Sequence, residues 1–254
     1  MSLRDRIVGS AQALLHSDQV MRRRFPDVDP AVLAIFSQVK AFTMTSPERV
    51  IALCEAIRYV VRSGVAGAFV ECGVWRGGSS MAAALMLERL GDTARDIALF
   101  DTFEGMSAPG EHDRRARDAA DAARLLRTHD RGEKIWCYSP LDEVRANLAS
   151  TGYPPERIRF VEGKVEDTLP ASAPPQIAVL RLDTDWYEST RHELEHLYPR
   201  LGVGGVLIID DYGAWEGARR AVDEFVEAGR ASILLNRIDE TGRIGVKLPA
   251  AAGG

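Results

Sequence analysis

The 254-residue chain is short of several things that would assign it to a class at once. Its three cysteines, Cys54, Cys72 and Cys137, are an odd number at wide spacing, which excludes both a disulfide framework and a zinc cluster and makes a reducing cytoplasm the expected compartment. It lacks a basic excess: the formal charge is -5 and the pI about 5.6, so no general attraction to nucleic acid or to an anionic membrane is expected. No apolar run approaches the ~20 residues that cross a bilayer. The best leader candidate, Ile7 to Leu15 behind Arg4 and Arg6, is interrupted by Ser10 and Gln12 and followed at once by His16, Ser17 and Asp18, so it is rejected. Lysine is nearly missing too, and the arginine that replaces it, with abundant alanine, reads as codon bias of a GC-rich genome. There is no internal repeat and no low-complexity linker.

What is present is ordinary globular composition, 46% hydrophobic and 27% charged, enough to bury a real core. The length suits one α/β domain over 46–254 with a helical, lid-like extension over 1–45. Thr45-Ser46-Pro47-Glu48 combines an N-cap candidate, a proline in the first turn and a Glu at capping-box distance from Thr45, and predicts a helix to about Ser63. From Ala66 short apolar runs alternate with helical windows. Ala68 to Val74, Ile97 to Phe100, Ile158 to Val161, Ile177 to Leu182 and Val206 to Ile209 read as strands buried on both faces, with helices at about 78–90, 140–149, 186–200 and 215–228. Such alternation means right-handed crossovers and a doubly wound, mostly parallel sheet. Ser232 to Leu235 and Ile244 to Leu248 read as a closing hairpin. The interval 102–157 is far longer than a crossover needs. It predicts an inserted, substrate-binding element at the carboxyl edge of the sheet, with Arg114 to Arg127 helical.

Three constellations carry chemistry. The run Phe69-Val70-Glu71-Cys72-Gly73-Val74-Trp75-Arg76-Gly77-Gly78-Ser79-Ser80 is a strand entering a glycine-rich turn and a helix, where a nucleotide-like ligand can approach backbone and helix N-terminus. Its spacing is not that of the dinucleotide fingerprint. Glu71 would repel a pyrophosphate and suits a cation such as the sulfonium and amino group of S-adenosylmethionine. Asp101 and Thr102 end the second strand, where a carboxylate can accept both ribose hydroxyls. Finally, Asp183 with Asp185, and Asp210 with Asp211, close two buried strands at the same edge. Carboxylates converging there need a cation, and hard oxygen donors point to magnesium. The plain alternative for Asp183 is a cap on the helix that follows.

These strings resemble the macrocin O-methyltransferase family: Phe-Val-Glu-Cys-Gly-Val-Trp-Arg-Gly-Gly (69–78), Phe-Asp-Thr-Phe-Glu-Gly-Met (100–106), Val-Glu-Gly-Lys-Val-Glu-Asp-Thr (161–168), Leu-Arg-Leu-Asp-Thr-Asp-Trp-Tyr-Glu-Ser-Thr (180–190) and Asp-Asp-Tyr-Gly (210–213). The resemblance implies a class I methyltransferase sheet of seven strands, S-adenosylmethionine as donor and magnesium as metal. It implies Asp183, Asp210 and Asp211 as metal ligands, with Asp183 also the general base. Glu71, Gly73, Ser79, Asp101, Thr102, Glu162, Gly163 and Lys164 then fall in donor-binding stretches, and Thr45 in a lid. The expected acceptor is a small glycosylated natural product, methylated on a sugar hydroxyl, by a homodimer or larger homo-oligomer. A catechol or phenol acceptor and a dinucleotide-dependent oxidoreductase are the alternatives.

Two further features compete for a role. His192-Glu193-Leu194-Glu195-His196 fits the zinc-hydrolase pattern on a helix, yet no histidine follows His196 to complete a site. His112, in Pro109-Gly110-Glu111-His112-Asp113, is a candidate auxiliary base.

Overall fold

The computed structural model describes residues 19–249; the rejected leader at 7–15 and the start of the extension lie outside them. After a helical stretch over 19–24 come the helices α1 (Pro30–Val39) and α2 (Pro47–Arg62). Pro47 opens α2, and Ser46 is its cap, its hydroxyl accepting from the Arg49 amide at 3.2 Å. The expected capping box from Thr45 does not form: Thr45 is turned back onto the Thr43 hydroxyl, and Glu48 pairs instead with Arg24.

A seven-stranded sheet follows, in the order β5-β2-β1-β6-β7-β9-β8. Its strands are β1 (Ala68–Cys72), β2 (Ile97–Asp101), β5 (Ile158–Glu162), β6 (Ile177–Leu182), β7 (Leu201–Ile209), β8 (Asn236–Arg237) and β9 (Arg243–Val246). The first five pair in parallel, while β9 runs antiparallel between β7 and β8. The fold class expected from the alternation is therefore the one observed. β1 and β6 are buried at every position, which is why they read as apolar runs interrupted only by Glu71 and Arg181.

Helices α2 and α3 (Gly78–Leu90) bury Leu53, Ile57, Met86 and Leu87 on one face of the sheet. On the other, α7 (Tyr187–Leu197) and α8 (Glu216–Glu227) bury Leu194, Leu197, Val222 and Phe225. The long interval departs from expectation. Arg114 to Arg127 is not one helix: Arg114–Arg115 (β3) and Ala120–Asp121 (β4) form a small hairpin, and only Ala122–Thr128 (α4) is helical. The closing hairpin forms where expected, with Ile233 bridged to Lys247 and Leu248 donating to Ser232, and it continues toward the turn as β8 and β9. Helix α5 (Leu141–Ala149) and the single turn α6 (Val165–Thr168) complete the order. No described helix is long and apolar enough to cross a membrane.

Candidate active site

Strand register builds the site. Cys72 pairs with Phe100 and with Leu182, and Leu182 with Ile209, so the next residue of each strand lies on a common rung. The backbone bonds continue across it: Gly73 donates to the Phe100 carbonyl, Asp183 to Cys72, and Asp210 to Leu182, all at 2.9 Å. Glycine turn and aspartates thus emerge at one edge, beside β1 where the winding reverses and α/β ligands bind. They open into one cleft of about 290 Å³ that Thr45, Gly73, Ser79, Asp101, Thr102, Gly163, Lys164, Asp183, Asp210 and Asp211 all help to line.

The turn after β1 leaves no room for a side chain at Gly73: its φ is +80°, and a Cβ would lie 2.0 Å from the Asp183 carbonyl oxygen. Asp101 holds this turn shut. One of its oxygens accepts the Val74 and Trp75 amides, at 2.6 and 3.1 Å, and the other the Phe103 amide at 2.7 Å. A carboxylate offers about four lone-pair sites, so these amides take most of the accepting capacity that the sequence reading assigned to two ribose hydroxyls. Burial raises the Asp101 pKa despite these three donors. Thr102 spends its hydroxyl on the Gly105 carbonyl at 2.7 Å.

Glu71 is 1% exposed, and its charge is met inside the protein. Ser80 and Arg181 both donate to it. Arg181, opposite Glu71 on β6, also reaches Asp183 at 2.8 Å and Asp210 at 2.6 Å. A second guanidinium, Arg49 from α2, pairs with Asp210 and, at 2.8 Å, with Asp239. Around the triad Glu71, Asp183, Asp185, Asp210 and Asp211, with Asp239 on Arg49, outnumber the two guanidiniums, Arg49 and Arg181. Proton affinities show the strain. Burial, followed by the neighbouring charge of Asp183, lifts Asp185 to about 8. Burial also lifts Asp183 and Asp211 well above the carboxylate range, with the Asp210 charge adding to it in both.

This surplus is the setting a divalent cation requires. Asp183, Asp210 and Asp211 each bring an oxygen, and these atoms lie within 4.8 Å of one another, forming the sole such cluster among the described residues. An all-oxygen set suits magnesium. The helix-cap alternative for Asp183 fails, because Trp186 stands at the cap position of α7 and no side chain caps it.

Some expected residues stay apart. Glu162 ends β5 opposite Asp101 but is exposed and does not line the cleft. His112 stands outside it as well, its ring edge-on to Tyr187 and one nitrogen 3.0 Å from Arg220. The zinc pattern on α7 places His192 and His196 together with ring centroids 4.3 Å apart, yet buries Glu193 completely, so that carboxyl cannot serve an exposed metal. Conversely Arg49, Arg181, Cys137, Trp215 and Thr241 line the cleft without having been singled out. For Arg181 a signal existed: a lone charge inside a fully apolar strand, matched by Glu71 in another.

Comparison with known proteins agrees with this geometry. Residues 15–244 match the family Macrocin-O-methyltransferase (TylF). The chain is 41% identical over 217 residues to the 8-demethyl-8-(2,3-dimethoxy-alpha-L-rhamnosyl)-tetracenomycin-C 4'-O-methyltransferase of Streptomyces olivaceus, covering 85% of this chain and 80% of that one. It is 33% identical to the mycinamicin III 3''-O-methyltransferase of Micromonospora griseorubida, covering 80% and 77%. Among solved structures, the O-methyltransferase NovP superimposes with a TM-score of 0.71 at 32% identity, covering 82% and 83%.

Proposed function

Because the chain belongs to the macrocin O-methyltransferase family and is an O-methyltransferase, we propose that it uses S-adenosylmethionine and magnesium to methylate a sugar hydroxyl of a glycosylated natural product. One observation carries this: the glycine turn and the aspartate triad share a rung of the sheet and a single cleft. The donor lies against Gly73, Ser79 and the Gly163-Lys164 turn, with Asp101 at its ribose. Its positive charge and that of the metal answer the excess of acid there. The sugar reading is supported by the relatives, whose names place a rhamnosyl 4' and a 3'' position at their methylation sites.

Asp183, Asp210 and Asp211 would hold magnesium, which when bound acidifies a coordinated alcohol. The chain's own residues do the rest. Asp183 takes the acceptor's proton on a carboxylate oxygen, at the strand end where it faces the cleft. Arg181 fixes that carboxylate from behind at 2.8 Å. Phe42 to Thr45, Met106, Ser107 and Trp215 wall the cleft and exclude water, so that displacement depends on alignment. Methyl transfer from labelled donor to a panel of glycosides and phenols tests the reading, and exclusive methylation of phenols would reject the sugar acceptor. Calorimetry with S-adenosylhomocysteine against NAD tests the donor.

A further inference from the structure

A second cleft of about 460 Å³ is lined by Ala116, Arg117, Tyr212, Gly213, Arg219, Arg237, Glu240 and Arg243. Four guanidiniums and one carboxylate line it, a surplus of three positive charges. Three of the four have no acid to answer them. Among the described residues no carboxylate lies within 4.0 Å of Arg219, Arg237 or Arg243. They donate only to backbone carbonyls: Arg219 to Tyr212 at 3.1 Å, Arg237 to Asp239 and Glu240 at 2.7 and 3.1 Å, Arg243 to Gly242 at 2.9 Å. Arg219 and Arg243 also rest on the Tyr212 ring, 5.8 and 4.6 Å from its centroid. Tyr212 is fixed in turn through its hydroxyl to Asp223 at 2.7 Å. The guanidiniums are thus held while most of their N-H donors are unspent.

The cleft adjoins the reaction site covalently. Tyr212 follows Asp211 directly, and the Gly213 amide bonds the carbonyl of Thr241, which lines the first cleft while Glu240 lines the second. The inserted segment forms another wall: Ala116 donates to the Ala214 carbonyl at 2.8 Å, and Arg115 bridges to Trp215. Planar forks without partners are built for oxyanions.

We propose that this cleft binds an oxyanion carried by the acceptor, so that the sugar is methylated while attached to an acidic group: a diphosphate, or an aglycone bearing a carboxylate. The inference rests on the sugar reading above. It makes the acceptor's charge, rather than its sugar alone, a determinant of selection.

The test uses one 6-deoxyhexose presented three ways: as a neutral methyl glycoside, a carboxyphenyl glycoside and a nucleoside diphosphate sugar. At least one anionic acceptor is expected to exceed the neutral one by tenfold or more in kcat/KM, and which of the two does so identifies the source of charge. The preference should collapse in Arg237→Glu, an exposed position, and in Arg219→Gln, with affinity for S-adenosylhomocysteine unchanged. Calorimetry of pyrophosphate and of benzoate on the enzyme loaded with S-adenosylhomocysteine reads the cleft without any sugar. Equal methylation of neutral and anionic glycosides, or a preference that survives both substitutions, overturns the proposal and leaves the sugar reading standing. Arginine-dependent oxyanion binding without methylation of any glycoside sinks the sugar reading and upholds the cleft.

Discussion

Glu71 and Arg181 are register partners on β1 and β6, and their ion pair, at 2.5 Å, has side-chain exposures of 1% and 3%. The same guanidinium holds Asp183 and Asp210, so one buried cation ties the glutamate of β1 to the aspartates that end β6 and β7. Removing one partner of such a pair leaves charge stranded, at a cost of about 3 to 5 kcal/mol. Arg181→Met should therefore lower the melting temperature sharply, and Arg181→Lys, a point charge without the fork, should recover part of it. Thermal unfolding of the two variants reads this directly; equal stability of wild type and Arg181→Met would mean the pair carries no weight.

Asp183→Asn keeps a ligand oxygen but cannot take a proton. Turnover should fall by about 10²- to 10⁴-fold, as for loss of a general base, with affinity for S-adenosylhomocysteine little changed. The check is kcat at saturating magnesium, donor and acceptor, and a value within about threefold of wild type would assign the proton elsewhere.

Asp101 is predicted to act on the donor through the turn as much as through the ribose. Asp101→Ala strips the Val74, Trp75 and Phe103 amides of their acceptor and should weaken S-adenosylhomocysteine binding by more than about tenfold. Asp101→Asn, which retains one oxygen, should fall between. Calorimetry giving equal affinities for all three proteins would disprove the assignment.

Magnesium should raise the melting temperature of wild type by binding the folded state alone. Asp211→Asn should blunt that shift. EDTA should abolish turnover and magnesium restore it, while full activity of a rigorously metal-free preparation would remove the metal from the reaction.

Asp239 ties the β8–β9 turn to α2. Burial alone would raise its pKa, but the Ser46 hydroxyl, the Gly242 and Thr241 amides and Arg49 more than offset this and bring it to about 2. Its folded pKa lies below the unfolded value of about 3.9, so its stabilising contribution is present above about pH 4 and is lost as pH falls towards 2. Asp239→Asn should flatten the loss of stability in that window. Urea unfolding at pH 5, 4 and 3 compares the slopes, and parallel curves would refute the role.

How much of this was legible in the sequence follows burial. β1 and β6 are covered on both faces, so they show as apolar runs, and the aspartates show because each stands where such a run stops. Pairings across the fold left less trace. Arg49 meets Asp239 across 190 residues and Glu71 meets Arg181 across 110, and only strand register and helix placement decide those partners. Arg114 to Arg127 misled because its Ala, Arg and Asp content favours a helix, while Ala119 adopts a φ of +53° and Ala116 bonds the Ala214 carbonyl. There tertiary contact overrides propensity.

The missing space at Gly73 has a consequence for how such an enzyme can diverge. With the Asp183 carbonyl occupying the place of a side chain, the glycine turn after β1 and the end of β6 are in backbone contact. Their separation is set by the spacing of neighbouring strands, about 4.8 Å, which side-chain substitution leaves alone. On the proposed assignment, methyl donor and proton acceptor share a fixed gauge, and new acceptors are met by reshaping the walls around it.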